Sequence, residues 1–157
     1  AYLRLGRPAV ETVTDEIPGY SFALGKGCTL RGGSDATVIA TGMMVQMALK
    51  AAEQLQAEGI SLRGIDMPTI KPLDEALVLQ AAQETGVIVT SEEHSVIGGL
   101  GAAVAEYLSE NYPVPVIRHG VEDCFGRSGT AAAVLAHYGL TPEVLCQKVK
   151  LALSKKR

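Results

Sequence analysis

Short apolar runs alternate with longer runs of helical periodicity, and this alternation constrains the fold more than any other feature of the sequence. Residues 36–41, 60–65 and 87–90 have the apolar, β-branched composition of buried strands. Residues 43–57 place apolar side chains at i, i+3 and i+4 and end before Gly59, as an amphipathic helix does. Strands and helices in this order form βαβ crossovers, which predicts a mainly parallel sheet covered by helices on both faces.

The rest of the chain continues the same alternation. We predict a strand at residues 22–24, a helix that starts near Asp74 and ends before Gly86, a loop at 91–98, a helix at 99–111, a strand at 114–118, and two closing helices capped by Thr130 and Thr141. Ligands of parallel α/β sheets bind beyond the carboxyl ends of the strands. The loops that follow these strands are therefore the places to search for a site.

Composition and charge exclude several classes of protein. The 157 residues carry a net charge of −3, and their basic residues are scattered until the last three positions, which argues against nucleic-acid binding. No apolar run reaches the roughly 18 residues of a membrane span. Cys28, Cys124 and Cys146 are far apart and lack CxxC spacing, which argues against a disulfide framework and a zinc cluster. We expect a cytoplasmic protein with free thiols.

The first 19 residues differ from the regular pattern that follows. Residues 2–7 alternate apolar with basic or small side chains, as a short strand does, and residues 8–19 have the prolines and acids of an extended connection. We predict that residues 1–19 are the end of a preceding domain with its linker, and that residues 20–157 form one domain. Arg4 and Arg7 end the short strand, where their guanidinium groups could bind a phosphate or carboxylate in a cleft between domains. The alternative is that both are ordinary surface arginines.

The densest polar cluster at a strand end is followed by glycines. It contains Glu92, Glu93, His94, Gly98, Gly99 and Gly101. Glycines before a helix would let an anion meet the free N–H groups of the helix N-terminus. The alternative is structural, because glycines also permit close helix packing or a subunit contact. The spacing departs from the dinucleotide-binding motif, since Val104 stands where that motif requires Gly or Ala.

Three other chemistries have weaker support in the sequence. His94 could be a general base or a metal ligand, but a hydrogen-bonded structural histidine is the alternative. A Cys124–His119 nucleophile pair lacks an orienting third group, and the alternative is a buried or half-buried thiol. The carboxylates of Asp66, Asp123, Glu92 and Glu93 could hold Mg²⁺, but they show no spaced DxD pattern.

Five segments, taken in order, resemble one known family. They are Tyr2-Leu3-Arg4-Leu5-Gly6-Arg7, Val38-Ile39-Ala40-Thr41-Gly42, Asp66-Met67-Pro68-Thr69-Ile70-Lys71-Pro72-Leu73-Asp74, Glu92-Glu93-His94-Ser95-Val96-Ile97-Gly98-Gly99-Leu100-Gly101 and Asp123-Cys124-Phe125-Gly126-Arg127-Ser128-Gly129. Together they resemble the C-terminal domain of transketolase, especially the separately encoded C-terminal subunits of split transketolases. The last domains of deoxyxylulose-phosphate synthase and of 2-oxo-acid dehydrogenase E1 β chains are related.

The resemblance implies a three-layer α/β/α domain whose five-stranded, mostly parallel sheet has one antiparallel edge strand. It also implies that thiamine diphosphate and Mg²⁺ lie between the two preceding domains of the complete enzyme, at a dimer interface. The activating glutamate of the family belongs to one of those domains, so this chain is expected to bind no cofactor or metal alone. Arg7 falls where transketolases place an arginine that contacts the sugar phosphate.

The resemblance therefore implies the C-terminal portion of an enzyme that transfers two-carbon ketol units between sugar phosphates. Its expected partners are the N-terminal subunit or domains of the same enzyme and further copies of itself, and the chain is expected to be inert alone. Two alternatives remain open. The first is a regulatory module that binds a small anion or nucleotide at residues 92–101, in a related enzyme such as a 2-oxo-acid dehydrogenase E1 component. The second is a purely structural domain that widens a dimer interface.

Overall fold

A computed structural model describes Tyr2, Gly6, residues 9–15 and residues 17–156. Its elements in chain order are β1 (Cys28–Arg31), β2 (Ala36–Ala40), α1 (Met44–Ala57), β3 (Leu62–Asp66), α2 (Glu75–Thr85), β4 (Ile88–Ser95), α3 (Leu100–Asn111), β5 (Val116–Val121), α4 (Ala131–His137) and α5 (Pro142–Leu153). The strands form one sheet in the order β1-β3-β2-β4-β5. All neighbours are parallel except β1, which runs antiparallel to β3. The predicted fold class is confirmed.

The core has two parts, one on each face of the sheet. On one face, α1 and α5 cover Val38 of β2 and its neighbours, and on the other face α2 and α3 cover Ile39. Every residue of β2 is buried because helices pack on both sides of it. This burial explains the unbroken apolar run that predicted the strand. Among the residues that the structure describes, no helix has the length and apolar character needed to cross a bilayer.

The helix boundaries predicted from capping signals are confirmed. The Asp74 carboxylate accepts a hydrogen bond of 3.2 Å from Leu77 N–H at the start of α2, and Gly86 ends that helix with a φ of 68°. Thr130 and Thr141 cap α4 and α5 with their hydroxyl groups.

The strand predicted at residues 22–24 is wrong, because the strand that precedes β2 is Cys28–Arg31. Phe22 and Leu24 are 60% and 70% exposed, so their apolar character does not reflect burial in a sheet. Gly25 turns the chain with a φ of 76°, and pairing with β3 begins only after this turn. The pairing is short and has a register irregularity between Thr29 and Arg31.

The loop predicted at residues 91–98 is also wrong in part, because β4 continues to Ser95. Its polar residues suggested a loop, but Ser91 and Glu92 are buried in the structure. The pairing of β4 with β5 shifts register between Ser91 and Ser95, so that β4 contains extra residues relative to β5, and this irregularity is called the bulge below. The last strand lies at Val116–Val121 and not at 114–118, because Pro115 has no N–H and offers only its carbonyl, to Ile88.

Candidate functional site

The candidate site lies at the carboxyl ends of β4 and β5. Val96, just after β4, donates a 2.9 Å hydrogen bond to the carbonyl of Val121 at the end of β5. Arg118 reaches across from β5 and donates a 2.7 Å hydrogen bond to the Val96 carbonyl. Residues 96–99 and the segment after Val121 are thereby held next to each other.

Glu92 occupies the N-terminus of α3 with its own carboxylate. The side chain is 1% exposed, and its two oxygens accept 2.8 Å hydrogen bonds from Leu100 N–H and Gly101 N–H. A carboxylate is stabilised there by the helix dipole and by charge-assisted hydrogen bonds. The N–H groups expected to meet an external anion are therefore already bonded within the chain. Sequence reasoning missed this role, and the only signal for it was an acid eight residues before a glycine-led helix.

The glycines of the predicted anion or interface loop allow the bulge and the helix to approach closely. A Cβ atom on Gly99 would overlap the Glu92 carboxylate and lie 3.0 Å from His94 Nδ1. A Cβ on Gly101 would lie 2.7 Å from Thr90 Oγ1, and Gly98 has a φ of 74° that favours glycine. This geometry supports the structural interpretation of the glycines. Ligand binding or subunit contact by this loop stays a prediction.

Glu93 and His94 are both exposed, unlike the buried Glu92. The His94 Nδ1–H donates a 2.8 Å hydrogen bond to the carbonyl of Ser95. The same nitrogen is 3.9 Å from Glu92 Oε2, a longer contact that adds an ion pair only when the ring is protonated. Glu93 lines an open groove, described below, and His94 does not.

His119 joins three elements through hydrogen bonds that the sequence did not reveal. Its Nε2–H donates to the Gly139 carbonyl at 2.8 Å, and its Nδ1 accepts from the Ser91 hydroxyl at 2.9 Å. The tautomer follows from the partners, because a carbonyl can only accept. Burial lowers the pKa of His119, and the hydrogen bond to Gly139 opposes that effect only in part. The ring is therefore neutral and ties β4 and β5 to the turn before α5.

The other predicted chemistries find little support in the geometry. Both ring nitrogens of His119 are occupied, so His119 is not the base of a pair with Cys124. Cys124 is exposed, and the prediction of a buried or half-buried thiol is wrong because the whole segment 122–133 is exposed. All three cysteines are free. In the described part of the chain, no three His, Cys, Asp or Glu side chains are grouped so that they could hold a metal ion.

An apolar groove opens beside α4 at the same edge of the sheet. It has a volume of about 490 Å³ and is lined by Met43, Glu93, Gly129, Thr130, Ala131, Val134 and Leu135. Helix α4 has no buried residue, and Phe125 in the preceding segment is 99% exposed. The segment is nevertheless held, because the Tyr138 hydroxyl donates to the Phe125 carbonyl at 2.7 Å. Arg127 likewise donates a 3.0 Å hydrogen bond to His137 Nδ1.

Arg7, the predicted phosphate contact, lies outside the described residues. Its role stays a prediction.

A comparison with known protein families identifies the family of this chain. Residues 25–145 match the model of the family described as transketolase, C-terminal domain. The chain belongs to this family. The transketolase resemblance of the five ordered segments is thereby confirmed.

Two similar relatives of this chain are named as transketolase subunits. The 6-deoxy-6-sulfo-D-fructose transketolase subunit of Clostridium sp. (strain MSTE9) is 50% identical over 89% of this chain and 43% of the relative. An apulose-4-phosphate transketolase subunit of Phocaeicola vulgatus (strain ATCC 8482) is 47% identical over 99% of this chain and 49% of the relative. This chain therefore spans about half the length of the curated relatives it matches.

A solved structure shares both the fold and the sequence. The chain superimposes on a split gene transketolase, described as an inactive beta4 tetramer, with a TM-score of 0.92 and 50% identity. The match covers 98% of this chain and 50% of the solved one. The match to the family model covers β1 to α4 and the start of α5.

Proposed function

We propose that this chain is the C-terminal portion of a thiamine-diphosphate-dependent, transketolase-type enzyme that transfers two-carbon ketol units between sugar phosphates. The observation that carries the proposal is the 50% identity, along 98% of this chain, to a split gene transketolase. Two further relatives of similar identity are named as transketolase subunits. The preceding domains of the complete enzyme supply the cofactor site and the activating glutamate, with residues 1–19 as the end of one of them.

We propose that this chain holds neither the diphosphate nor its metal. The N–H groups of α3, which resemble a phosphate site, are bonded to Glu92. We therefore propose that this chain takes no proton from the substrate and forms no bond with it. Its contribution is to hold the surface at the carboxyl ends of β4 and β5 in a fixed shape for assembly, and to place Arg7 near the sugar phosphate.

We further propose two partners, the N-terminal subunit or domains of the enzyme and other copies of this chain. The first is supported by the names of the relatives, which are subunits. The second is supported by the solved relative, which is described as a tetramer. We propose the cytoplasm as the location of the complete enzyme. The anion-binding alternative is disfavoured, because an anion at α3 would have to displace the buried Glu92 carboxylate.

Reconstitution tests the proposed function. The chain is mixed with its N-terminal counterpart, thiamine diphosphate and Mg²⁺, and transfer of two carbons from a ketose phosphate to an aldose phosphate is measured by product analysis. We expect product only when both proteins are present. In parallel, calorimetric titration of this chain alone with thiamine diphosphate and Mg²⁺ should give no binding heat. Tight, metal-dependent binding by the isolated chain, or no transfer by any mixture, would contradict the proposal.

A further inference from the structure

A buried carboxylate at the carboxyl end of β3 has no partner among the described residues. Asp66 is 8% exposed, and burial raises the pKa of its carboxyl with no hydrogen bond or cation of the described residues to oppose it. Burial also raises the pKa values of Tyr20 and Cys28, and the nearby charge of Asp66 raises both further. Neither neighbour carries a positive charge. A buried carboxylate without a donor is costly, so a group from outside the described chain is expected to supply one.

Two segments near Asp66 carry exposed apolar side chains. Three of these side chains are large, namely Phe22 (60% exposed), Leu24 (70%) and Ile70 (38%). The two segments are joined, because Gly25 N–H donates a 3.0 Å hydrogen bond to Thr69 Oγ1. Together they form a continuous feature, called here the Asp66 surface, which consists of residues 20–25, Asp66 and residues 69–72. A group of exposed apolar side chains beside an unpaired buried charge is typical of an interaction site.

The other charges at the Asp66 surface nearly balance one another. Lys26 forms a 3.7 Å ion pair with Asp74, and the exposed Lys71 and Glu75 have opposite charges. Asp66 is therefore the charge that a docking partner must satisfy. A lysine or arginine side chain fits this requirement, because its charge-assisted hydrogen bonds offset the desolvation of a buried carboxylate.

The connection before β1 leads directly into the Asp66 surface. Glu11 forms a 3.8 Å ion pair with Lys50 of α1, and Val13 packs against the core on the same face of the sheet. This chain spans about half the length of its relatives, so the preceding domain proposed above is about as long as the chain itself. A domain of that length has a radius of gyration of about 15 Å. A domain joined ahead of residue 9 is therefore large enough to reach the Asp66 surface.

We infer that the preceding domain of the complete enzyme docks on the Asp66 surface, with one of its lysine or arginine side chains bonded to the Asp66 carboxylate and its apolar side chains packed on Leu24 and Ile70. The inference rests on the proposed function, in which residues 1–19 join this chain to that domain. It adds the docking surface and the buried ion pair. Docking of this kind needs no cofactor, metal or sugar phosphate.

The first test is hydrogen exchange of the backbone amides, measured in this chain alone and in the longer polypeptide that also contains the preceding domain. Residues 22–24, Ile70 and Lys71 are exposed in this chain. Their amides should exchange about tenfold more slowly, or slower still, in the longer polypeptide, because docking covers them. Gly32 is the internal control, since it is exposed at the opposite end of the sheet and should exchange equally in both proteins.

The second test is Asp66→Asn, which removes the charge and keeps the shape of the side chain. In this chain alone, the urea midpoint should stay the same or rise, because an unpaired buried carboxylate is replaced by a neutral group. In the longer polypeptide, most of the protection of residues 22–24 should be lost, because an amide forms no charge-assisted bond. A purely structural role of Asp66 would lower the urea midpoint of the chain alone. Asp123→Asn is the control, since Asp123 is exposed beyond β5, and it should change neither quantity.

The apolar part of the Asp66 surface has its own pair of variants. Leu24→Ser should also reduce the protection of Ile70 and Lys71 in the longer polypeptide, because less apolar surface is buried on docking. Leu151→Ser is the matched control, since Leu151 is an exposed leucine (46%) on α5. It should leave the protection unchanged.

The outcomes separate this inference from the proposed function. Equal exchange in the chain alone and in the longer polypeptide overturns it, and so does a lower urea midpoint of the isolated Asp66→Asn chain, which would reveal a donor within the chain. Protection that grows with the concentration of the chain alone would assign the Asp66 surface to a second copy and also overturn it. Absence of ketol transfer by the reconstituted enzyme, with the protection present in wild type and lost in Asp66→Asn, would count against the proposed function alone.

Discussion

Glu92 shows how one buried side chain can satisfy a helix that begins inside the protein. Helices leave unpaired N–H groups at their N-terminus, and burial makes such groups costly. Glu92 supplies two acceptors to Leu100 and Gly101, and Gly99 leaves room for the carboxylate. Gly99, Leu100 and Gly101 therefore depend on Glu92 and it on them, because a side chain at Gly99 would push the carboxylate away from the helix.

Glu92→Gln should lower the free energy of unfolding by about 2–3 kcal/mol, because one charge-assisted hydrogen bond is lost and an amide NH₂ faces a backbone N–H. Urea denaturation measures the change. Glu93→Gln is the control. The Glu93 side chain follows Glu92 in sequence but is exposed, so this change should shift the free energy of unfolding by less than about 0.5 kcal/mol. Equal effects in both variants would show that the buried carboxylate has no special role.

The residues around Glu92 also show the limit of prediction at this scale. The glycines were found from the sequence because a glycine-led helix is a local pattern. The carboxylate at the N-terminus of α3 was not found from the sequence. Glu92 reaches that helix through the bulge in β4, and a bulge is defined by the pairing of β4 with β5, which are distant in sequence. Phe125 was likewise visible only as part of a motif, since its exposure depends on what the rest of the fold leaves uncovered.

The elements β4, β5 and α5 depend on one another through the neutral ring of His119. Ser91 lies in β4, His119 in β5, and Gly139 in the turn before α5. Protonation of the ring would place an N–H donor at Nδ1, where the ring now accepts from the Ser91 hydroxyl. The hydroxyl hydrogen would then have to turn away from the ring. The charged groups that influence the ring are Lys148 of α5, which also lowers its pKa, and Glu122 after β5, which raises it.

Acid should therefore weaken the fold through His119. Its pKa is lowered in the folded chain, so the unfolded chain binds more protons below the ordinary histidine pKa of about 6.5. The stabilising contribution is complete above that pH and is lost as the pH falls through the folded value. We expect the urea midpoint of wild type to fall between about pH 7.5 and pH 5.5, and to fall less in His119→Gln.

His137→Gln is the control for this pH dependence, because His137 is exposed on α4. The burial of Asp66 raises its pKa and acts in the opposite direction, but it is common to all the variants and cancels in their comparison. A pH dependence of stability that is the same in His119→Gln and wild type would contradict the assignment.

Elements were predicted best where one helix or one strand carries its own signal. The caps of α2, α4 and α5 were predicted correctly because a capping residue lies within three positions of the group it bonds. β1 was misplaced because an exposed edge segment with Phe22 and Leu24 has the composition of a strand without the burial of one. The extension of β4 was missed because the partners of its polar residues are distant in sequence.

At the scale of the whole molecule, the alternation of elements predicted a mainly parallel sheet with both faces covered, and the family resemblance predicted its five strands and its antiparallel edge strand. The order of the strands was not predicted. The two halves of the core lie on opposite faces of one sheet, so both pack against the same strands. The activity that we propose is one of a larger assembly, and this chain spans about half the length of the relatives it matches. Predictions about substrate therefore concern the reconstituted enzyme.

Arg7→Ala tests the substrate contact that the family resemblance implies. In the reconstituted enzyme, we expect this change to raise KM for phosphorylated sugars by about tenfold, which corresponds to about 1.4 kcal/mol of lost binding. Unphosphorylated sugars should show no such penalty, because a guanidinium that forks onto a phosphate contributes only when the phosphate is present. Steady-state kinetics with both kinds of sugar measure the difference. Equal losses with both kinds of sugar, or no loss with either kind, would show that Arg7 is an ordinary surface arginine.

The outer strands of the sheet have a consequence for how copies of the chain can join. β1 has four residues and an irregular register, and β5 begins only after Pro113 and Pro115 and carries the charged Arg118. Short, irregular or charged edges are poor templates for an incoming strand. These edges therefore disfavour the merging of neighbouring molecules into one extended hydrogen-bonded ribbon, the route by which many β-rich chains aggregate. Subunits that meet through side chains alone can separate with every backbone hydrogen bond of each sheet still in place.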